Sequence, residues 1–149
     1  WEWELSVFQN KYENMIDFMY SLPTLAVNRK GVTGFGGEFQ FYWELSDVIN
    51  ISGNYVYLDM DDLENNPILY RSKHRAGLHV KVVSQPVKIS ITGKIWSPQK
   101  YEDFLSHDYQ TIDNKIVFPI KILPKNVIFN VAFEKMFLTT GKYTADLRV

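Results

Sequence analysis

Apolar and polar residues alternate at every second position in several stretches of this chain, and this pattern restricts the folds open to it. In the strongest internal stretch an apolar set alternates with a polar one: Phe39, Phe41, Trp43 and Leu45 with Gln40, Tyr42 and Glu44. An extended backbone sends successive side chains to opposite sides, so the pattern is typical of a β-strand with one apolar and one polar face. It predicts a β-protein whose apolar faces line a core.

The same two-residue period recurs along the chain and predicts about eight short strands. It covers residues 1–7, 39–45, 55–60, 78–82, 87–91, 116–123, 127–133 and 143–149, and Pro119 marks an edge or a bulge in one of these. No alternation of strands with helices accompanies it. We therefore expect one all-β domain over residues 1–149, an immunoglobulin-like β-sandwich.

Three stretches depart from the strand pattern. Asn10 followed by Glu13 resembles a capping box, and apolar residues then repeat at helical spacing, at Tyr12, Met15, Ile16 and Met19. This predicts one short helix. Residues 28–37 contain four glycines and predict a loop with turns, and residues 97–113 predict a polar, irregular segment.

Composition limits the partners and the site chemistry. Sixteen Lys and Arg against seventeen Asp and Glu leave a formal charge of −1, which gives no electrostatic reason to expect a nucleic acid partner. Cysteine is absent, so a disulfide framework, a thiolate nucleophile and a cysteine metal site are all excluded. No apolar run reaches the roughly 18 to 20 residues of a membrane-spanning helix.

The candidate motifs for catalysis or ligation each have a simpler explanation. Residues 31–37 fit neither nucleotide-binding glycine pattern, and residues 59–64 lack the ligand spacing of a calcium loop. Residues 106–108 contain the letters of a catalytic triad, but consecutive side chains diverge. The histidines have no ligand spacing between them: His74, His79 and His107. We expect no catalytic, cofactor or metal site, and a hydrolase is the weakest of the functions considered.

Some aromatic and basic residues fall outside the expected core. Tyr42, Tyr55 and Tyr57 alternate with strand neighbours that already occupy the apolar face, and residues 71–75 form a basic loop that begins with Arg71 and ends with Arg75. Exposed aromatic rings on a rigid sandwich are suited to a sugar or a protein. These residues are candidates for contact with a host glycan or glycoprotein.

Three stretches together resemble the subunits of bacterial chaperone–usher fimbriae, closest to the K88/K99-type (F4-like) family. They are the opening Trp1-Glu2-Trp3, the segment Asn66-Pro67-Ile68-Leu69 with the basic residues up to Arg75, and the glycine-led end of the chain from Gly141. The final alternating strand ends the chain with nothing after it to pair with. A strand that needs a neighbour from elsewhere indicates assembly.

The resemblance implies a pilin, an incomplete sandwich that lacks its last strand. A periplasmic chaperone fills the open groove first, an outer-membrane usher directs assembly, and the extension of a neighbouring subunit then replaces the chaperone strand. The wall of that groove would be the apolar side of the final strand: Tyr143, Ala145, Leu147 and Val149. The missing donor extension and the short chain favour a minor subunit, exported through the periplasm to a surface fimbrium. The alternative is an adhesin for a host receptor.

Overall fold

Regular structure is entirely β in the part of the chain that the computed structural model describes, residues 1–19, 25–65, 68–112, 114–137 and 145–148. The strands are β1 (Glu2–Met19), β2 (Leu25–Ser46), β3 (Ile49–Asp62), β4 (His74–Ser84), β5 (Val87–Trp96), β6 (Gln99–Glu102), β7 (Gln110–Ile112), β8 (Lys115–Val117), β9 (Ile120–Leu123), β10 (Asn126–Phe137) and β11 (Ala145–Arg148). The all-β prediction is confirmed. No helix in the described residues is long and apolar enough to cross a membrane.

Seven strands form one antiparallel sheet in the order β1-β2-β3-β4-β5-β10-β11. Neighbours in sequence are neighbours in the sheet, except that β10 follows β5. The chain between those two strands contains two small antiparallel ribbons, β6 with β9 and β7 with β8. Among the described strands, β1 and β11 are the edges, so the sheet is open.

Four connections whose residues are described differ in length between the two ends of the sheet. Residues 47–48 join β2 to β3 and residues 85–86 join β4 to β5, both at the end that we call the short-turn end. Residues 63–73 join β3 to β4 and residues 97–125 join β5 to β10 at the opposite, long-loop end. The β1–β2 hairpin also extends furthest on the long-loop side, since β3 pairs with β2 only as far as Val32.

The sheet has almost no hydrophobic interior. Val32 is the only buried hydrophobic residue among those described, and many large apolar side chains are exposed. The accessible surface is 11390 Å², whereas a compact protein of 17.5 kDa exposes about 7,900 Å². A sandwich would bury the inner faces of two packed sheets. The predicted sandwich is therefore not confirmed.

The predicted helix is wrong, because residues 10–19 continue strand β1. Residues 11–13 and 15–19 pair with residues of β2 between 25 and 33. Asn14 has a positive φ of 55° within this stretch. Tyr12, Ile16 and Phe18 also fit a two-residue period, and pairing along the hairpin satisfies the backbone that a helix would have satisfied locally.

The predicted glycine loop is also strand, within β2. Its glycines lie where neighbouring side chains approach the backbone closely. A Cβ on Gly31 would lie 2.4 Å from Leu63 Cδ1, and one on Gly36 would lie 2.6 Å from both Phe8 Cζ and the Tyr57 carbonyl oxygen. The glycines make room for side chains at the long-loop end of the sheet.

The final strand has a partner within the chain. Residues of β11 pair with residues 134–137 of β10, which gives the last strand a neighbour on one side. Tyr143 and Val149 lie outside the described residues, and the side chains of Ala145 and Leu147 are not described either. Pro119 separates β8 from β9, which confirms the predicted interruption.

A buried ion-pair cluster holds the end of β3 against the β1–β2 hairpin. The Arg29 guanidinium is 8% exposed and donates to Asp62, whose side chain is fully buried, and to Asp17 Oδ2 at 2.7 Å. Burial alone would lower the pKa of Arg29, but the hydrogen bonds to both carboxylates outweigh it and leave the pKa raised. The Leu63 amide donates to the Gly31 carbonyl at 3.0 Å beside this cluster.

Gly36→Ala is expected to destabilise the sheet, because its methyl group would collide with a backbone carbonyl that cannot move away cheaply. Overpacking of this kind costs about 1–3 kcal/mol. Gly93→Ala is the matched control in β5, since nothing lies within 4 Å of its Cβ position. Thermal unfolding followed by circular dichroism should show a lower midpoint for the first variant and an unchanged or higher one for the second. Equal midpoints would contradict the packing described.

Arg29→Met is expected to leave the Asp62 carboxylate buried without its cation. Removing one partner of a buried ion pair costs about 3–5 kcal/mol. The control is Lys11→Met, which breaks an exposed pair with Glu13 at 3.0 Å; such pairs contribute less than about 1 kcal/mol. Urea unfolding of both variants measures the difference, and a loss of similar size in each would show that Arg29 is not the clamp.

Candidate functional site: a sheet with two unlike faces

The register of the sheet shows which side chains share a face, because residues directly opposite in a ladder point to the same side. One row crosses six strands through Trp3, Phe41, Gly53, Leu78, Gly93 and Phe129. The next row crosses the same strands through Glu4, Gln40, Asn54, Gly77, Lys94 and Ile128. The first row carries no charge, whereas the second carries both signs.

We call the first side the apolar face. Besides that row it contains large uncharged residues from six strands: Leu5, Val7, Phe35, Phe39, Trp43, Ile49, Ile51, Tyr55, Tyr57, Val80, Val82, Val87, Ile89, Ile91, Ile95, Val127, Val131 and Phe133. Many of these side chains are exposed to solvent: Phe129 is 67% exposed and Leu5 is 62% exposed. On this face no charged side chain occurs over nine residues of β3, 49–57, or over nine residues of β5, 87–95. Nothing among the described residues packs over this face as a second layer.

The opposite, polar face is charged and hydrogen-bonded. Gln40 Nε2 donates to Glu4 Oε2 at 2.7 Å, His79 Nδ1 and Thr92 Oγ1 are 2.9 Å apart, and Lys88 Nζ donates to Glu134 Oε2 at 2.9 Å. An open cavity of about 590 Å³ lies over this face, lined mainly by polar side chains such as Glu2, Gln40, Ser52, Asn54, His79 and Lys94. Water or polar ligands can contact this face.

The alternation changes phase toward the long-loop end. In β1 the apolar residues occupy odd positions up to Val7. From Phe8 onward the aromatic residues and Ile16 occupy even positions, and Met15 and Met19 are the exceptions. In β3 the apolar positions of the same side end at Tyr57, and Asp59 and Asp61 follow. The apolar face therefore ends along a line that crosses neighbouring strands, and charged residues occupy the same side beyond it.

Aromatic and charged side chains mark this line. Tyr55 Oη lies 2.7 Å from His74 Nδ1, and the rings of Tyr57 and His74 have centroids 5.1 Å apart. Just beyond, Lys73 Nζ lies 2.5 Å from Asp59 Oδ1. The hydrogen bond from Lys73 holds the pKa of Asp59 below its usual value. The pair therefore persists at neutral pH and is lost only as acid brings the pH down through that lowered pKa.

The residues predicted to contact a receptor do not form one patch. Tyr42 lies on the polar face, where its hydroxyl is 3.0 Å from Glu44 Oε1 and 3.2 Å from Asn50 Oδ1. Tyr55 and Tyr57 lie on the apolar face instead. Arg75 belongs to the polar face of β4, opposite Trp96, and Arg71 lies in the β3–β4 loop.

The sequence contained the signal for the two faces. Most of the alternating stretches lie in strands, as predicted, although residues 116–123 divide between β8 and β9 and much of 143–149 lies outside the described residues. The prediction that their apolar side enters a core is not confirmed. The phase change after Val7 is visible in the sequence, and it is the signal that could have indicated a different environment for the apolar side. No group of three or more metal-ligating side chains occurs in the described parts of the chain.

Comparison with known proteins gives one family. A family model described as "TonB dependent receptor-like, beta-barrel" matches residues 1–114. The match covers β1 to β7, and so includes five of the seven strands of the main sheet. A search of curated proteins finds no match to this chain.

This match corrects the functional prediction. The resemblance to fimbrial subunits is wrong, and with it the predicted pilin function, the adhesin alternative and the chaperone, usher and neighbouring-subunit partners. The short motifs that carried the resemblance, such as Trp1-Glu2-Trp3, are parts of alternating strands. The predicted surface location holds in the coarse sense that the family points to the outer membrane. The chain belongs to the TonB-dependent receptor-like β-barrel family.

Proposed function

We propose that this sheet is part of the wall of an outer-membrane receptor that takes up a ligand with energy supplied through TonB. The apolar face contacts lipid, and the polar face lines the interior through which the ligand passes. The observation that carries the proposal is the apolar face between its two charged ends. Lys135 of β10 lies at its short-turn end and Asp59 follows its long-loop end, and between them the charged residues, such as Lys88 and Lys94, lie on the other side of the sheet.

The energetics of the apolar face support contact with lipid. Each large apolar side chain that leaves water contributes about 1.5–3 kcal/mol, and soluble proteins rarely expose a contiguous apolar patch beyond several hundred Å². The antiparallel ladders also pair β2, β3, β4 and β5 on both sides across the apolar face, as an environment without water requires of their backbone groups. The outer edges of β1 and β11 then need further strands of the receptor wall as neighbours.

The dimensions of the sheet support the same arrangement. Strands of about 9–11 residues cross a bilayer when tilted. Residues 49–57 of β3 and residues 87–95 of β5 each span nine residues and place no charged side chain on the apolar face. Outer-membrane barrels have short turns on the periplasmic side and longer loops outside. The short-turn end of this sheet would therefore face the periplasm, and the long-loop end would face the exterior.

The proposal assigns binding and passage of a ligand to the chain, with no catalytic step. It keeps residues 1–149 as one domain, because the main sheet runs without interruption from β1 near the start of the chain to β11 near its end. The partner would be TonB, and the ligand would reach the polar face from the long-loop end. The tyrosines and histidine along the boundary line would then lie at the level of the lipid headgroups.

Two neighbouring residues of β10 test the proposal directly. Val131→Cys lies on the apolar face and Asn130→Cys on the polar face, and the chain has no other cysteine to react. With a nitroxide label on each thiol and the protein in lipid bilayers, we expect Val131 to be accessible to molecular oxygen and protected from a water-soluble nickel complex. The label at Asn130 should show the reverse preference.

The matched pair controls for depth and local mobility, since the two residues are adjacent in one strand. Equal collision rates at both sites would contradict the proposal. So would a Val131 label that meets the nickel complex more readily than the Asn130 label.

A further inference from the structure

A second cavity, of about 550 Å³, lies at the long-loop end between the end of β3, the β3–β4 loop and strand β6. Basic and hydrogen-bonding residues account for much of its lining, including Arg71, Lys73, His74, Ser97, Gln99 and Lys100. It is separate from the cavity over the polar face, since the two have no lining residue in common. Its volume is in the range of small-molecule sites.

The two loops that form this cavity are joined by backbone hydrogen bonds. The Tyr70 amide donates to the Lys100 carbonyl at 2.8 Å, and the Ser97 amide donates to the His74 carbonyl at 2.9 Å. These bonds connect the β3–β4 loop and the start of β4 to β6 and the turn before it. Backbone hydrogen bonds therefore hold the two walls of the cavity together.

Two neutral side chains of the cavity have their acceptor oxygens engaged. Ser97 Oγ accepts the His74 amide at 3.0 Å, and Gln99 Oε1 accepts the Ser72 hydroxyl at 3.4 Å. The Ser97 hydroxyl hydrogen and the Gln99 amide group remain able to donate. These residues therefore present donors to a ligand.

The cations that line the cavity differ in whether they form an ion pair with a carboxylate. Lys73 pairs with Asp59 outside the lining, and the acidic Asp62 is held by Arg29. Among the described residues, no carboxylate forms an ion pair with Arg71 or with Lys100, and Asp61 is the other acidic residue of the lining. The lining of the cavity thus contains two cations and two neutral donors that no described carboxylate pairs with, beside Asp61.

We infer that this cavity binds a ligand through an oxyanion group of the phosphate type, held by Arg71, Lys100, Gln99 and Ser97. A guanidinium presents paired donors that match a tetrahedral oxyanion, and hydrogen bonds to charged groups are the stronger kind. If the proposed function holds, this site binds the transported ligand outside the membrane. Only that role in uptake rests on the proposed function. The binding itself depends on the cavity alone.

The test is titration of the purified protein in detergent with inorganic phosphate, followed by calorimetry. We expect saturable binding that Arg71→Ala and Lys100→Ala each weaken roughly tenfold or more, because each removes a charge-assisted hydrogen bond. Lys115→Ala is the matched control, since it removes the same charge from strand β8, outside the cavity lining. Circular dichroism of each variant checks that the sheet is intact.

A parallel titration with phosphatidylglycerol in mixed micelles, against phosphatidylcholine, identifies the source of the oxyanion. Binding of free phosphate assigns a soluble ligand, and binding of phosphatidylglycerol alone, lost in the same two variants, assigns a lipid headgroup. Binding of neither probe overturns the inference, as does an equal loss in Lys115→Ala. Failure here leaves the lipid contact of the apolar face untouched, since the nitroxide labels measure that separately.

Discussion

The apolar face of the main sheet has no layer of this chain over it, so the stability of the sheet depends on what else removes that face from water. Neighbouring strands pair across the apolar face, but hydrogen bonds contribute little net stability when water competes for them. Hydrophobic burial is the dominant favourable contribution to folding, and here Val32 is the only hydrophobic residue buried within the described structure. Lipid supplies the missing burial in the proposed receptor wall, and the open edges explain why further strands are needed beside it.

Local structure at the long-loop end follows from the same constraint. Beyond the line where the alternation changes phase, a few side chains contact the backbone of the sheet closely. Glycines in β2 admit Phe8 and Leu63, and the Arg29 cluster holds the end of β3 in place. At this end, close side-chain contacts and the buried ion pairs of Arg29 stabilise the sheet, and the apolar face is absent. That arrangement is suited to a part of the chain that stands in water and presents loops to a ligand.

Much of the local structure could be predicted from the sequence, because a two-residue period reports directly on an extended backbone. The strands around Phe41, Val80 and Val131 were identified from that period alone. The error at residues 10–19 arose because Tyr12 and Ile16 fit both a helical and a strand period, and only pairing with β2 decides between them. Glycines as closely spaced as those of β2 predict a loop, and the neighbours that require them in a strand, Phe8 and Leu63, come from distant parts of the sequence.

The environment of the apolar face could not be settled by alternation alone, since a strand beside a protein core and a strand beside lipid share the same period. Likewise, the cavity of Arg71 and Lys100 depends on two loops that the sequence separates by nearly thirty residues. The placement of Tyr42 and Tyr55 on opposite faces follows from the register, which a single strand does not reveal.

Fluorescence quenching by brominated phospholipids would test the contact between the apolar face and lipid most directly. Trp3 lies on the apolar face and Trp96 on the polar face, so variants that retain one tryptophan at a time separate the two sides. Bromine quenches an indole only over a short distance. We expect strong quenching of Trp3 and little quenching of Trp96 after reconstitution into bilayers. Equal quenching of both, or stronger quenching of Trp96, would contradict the assignment of this face to lipid.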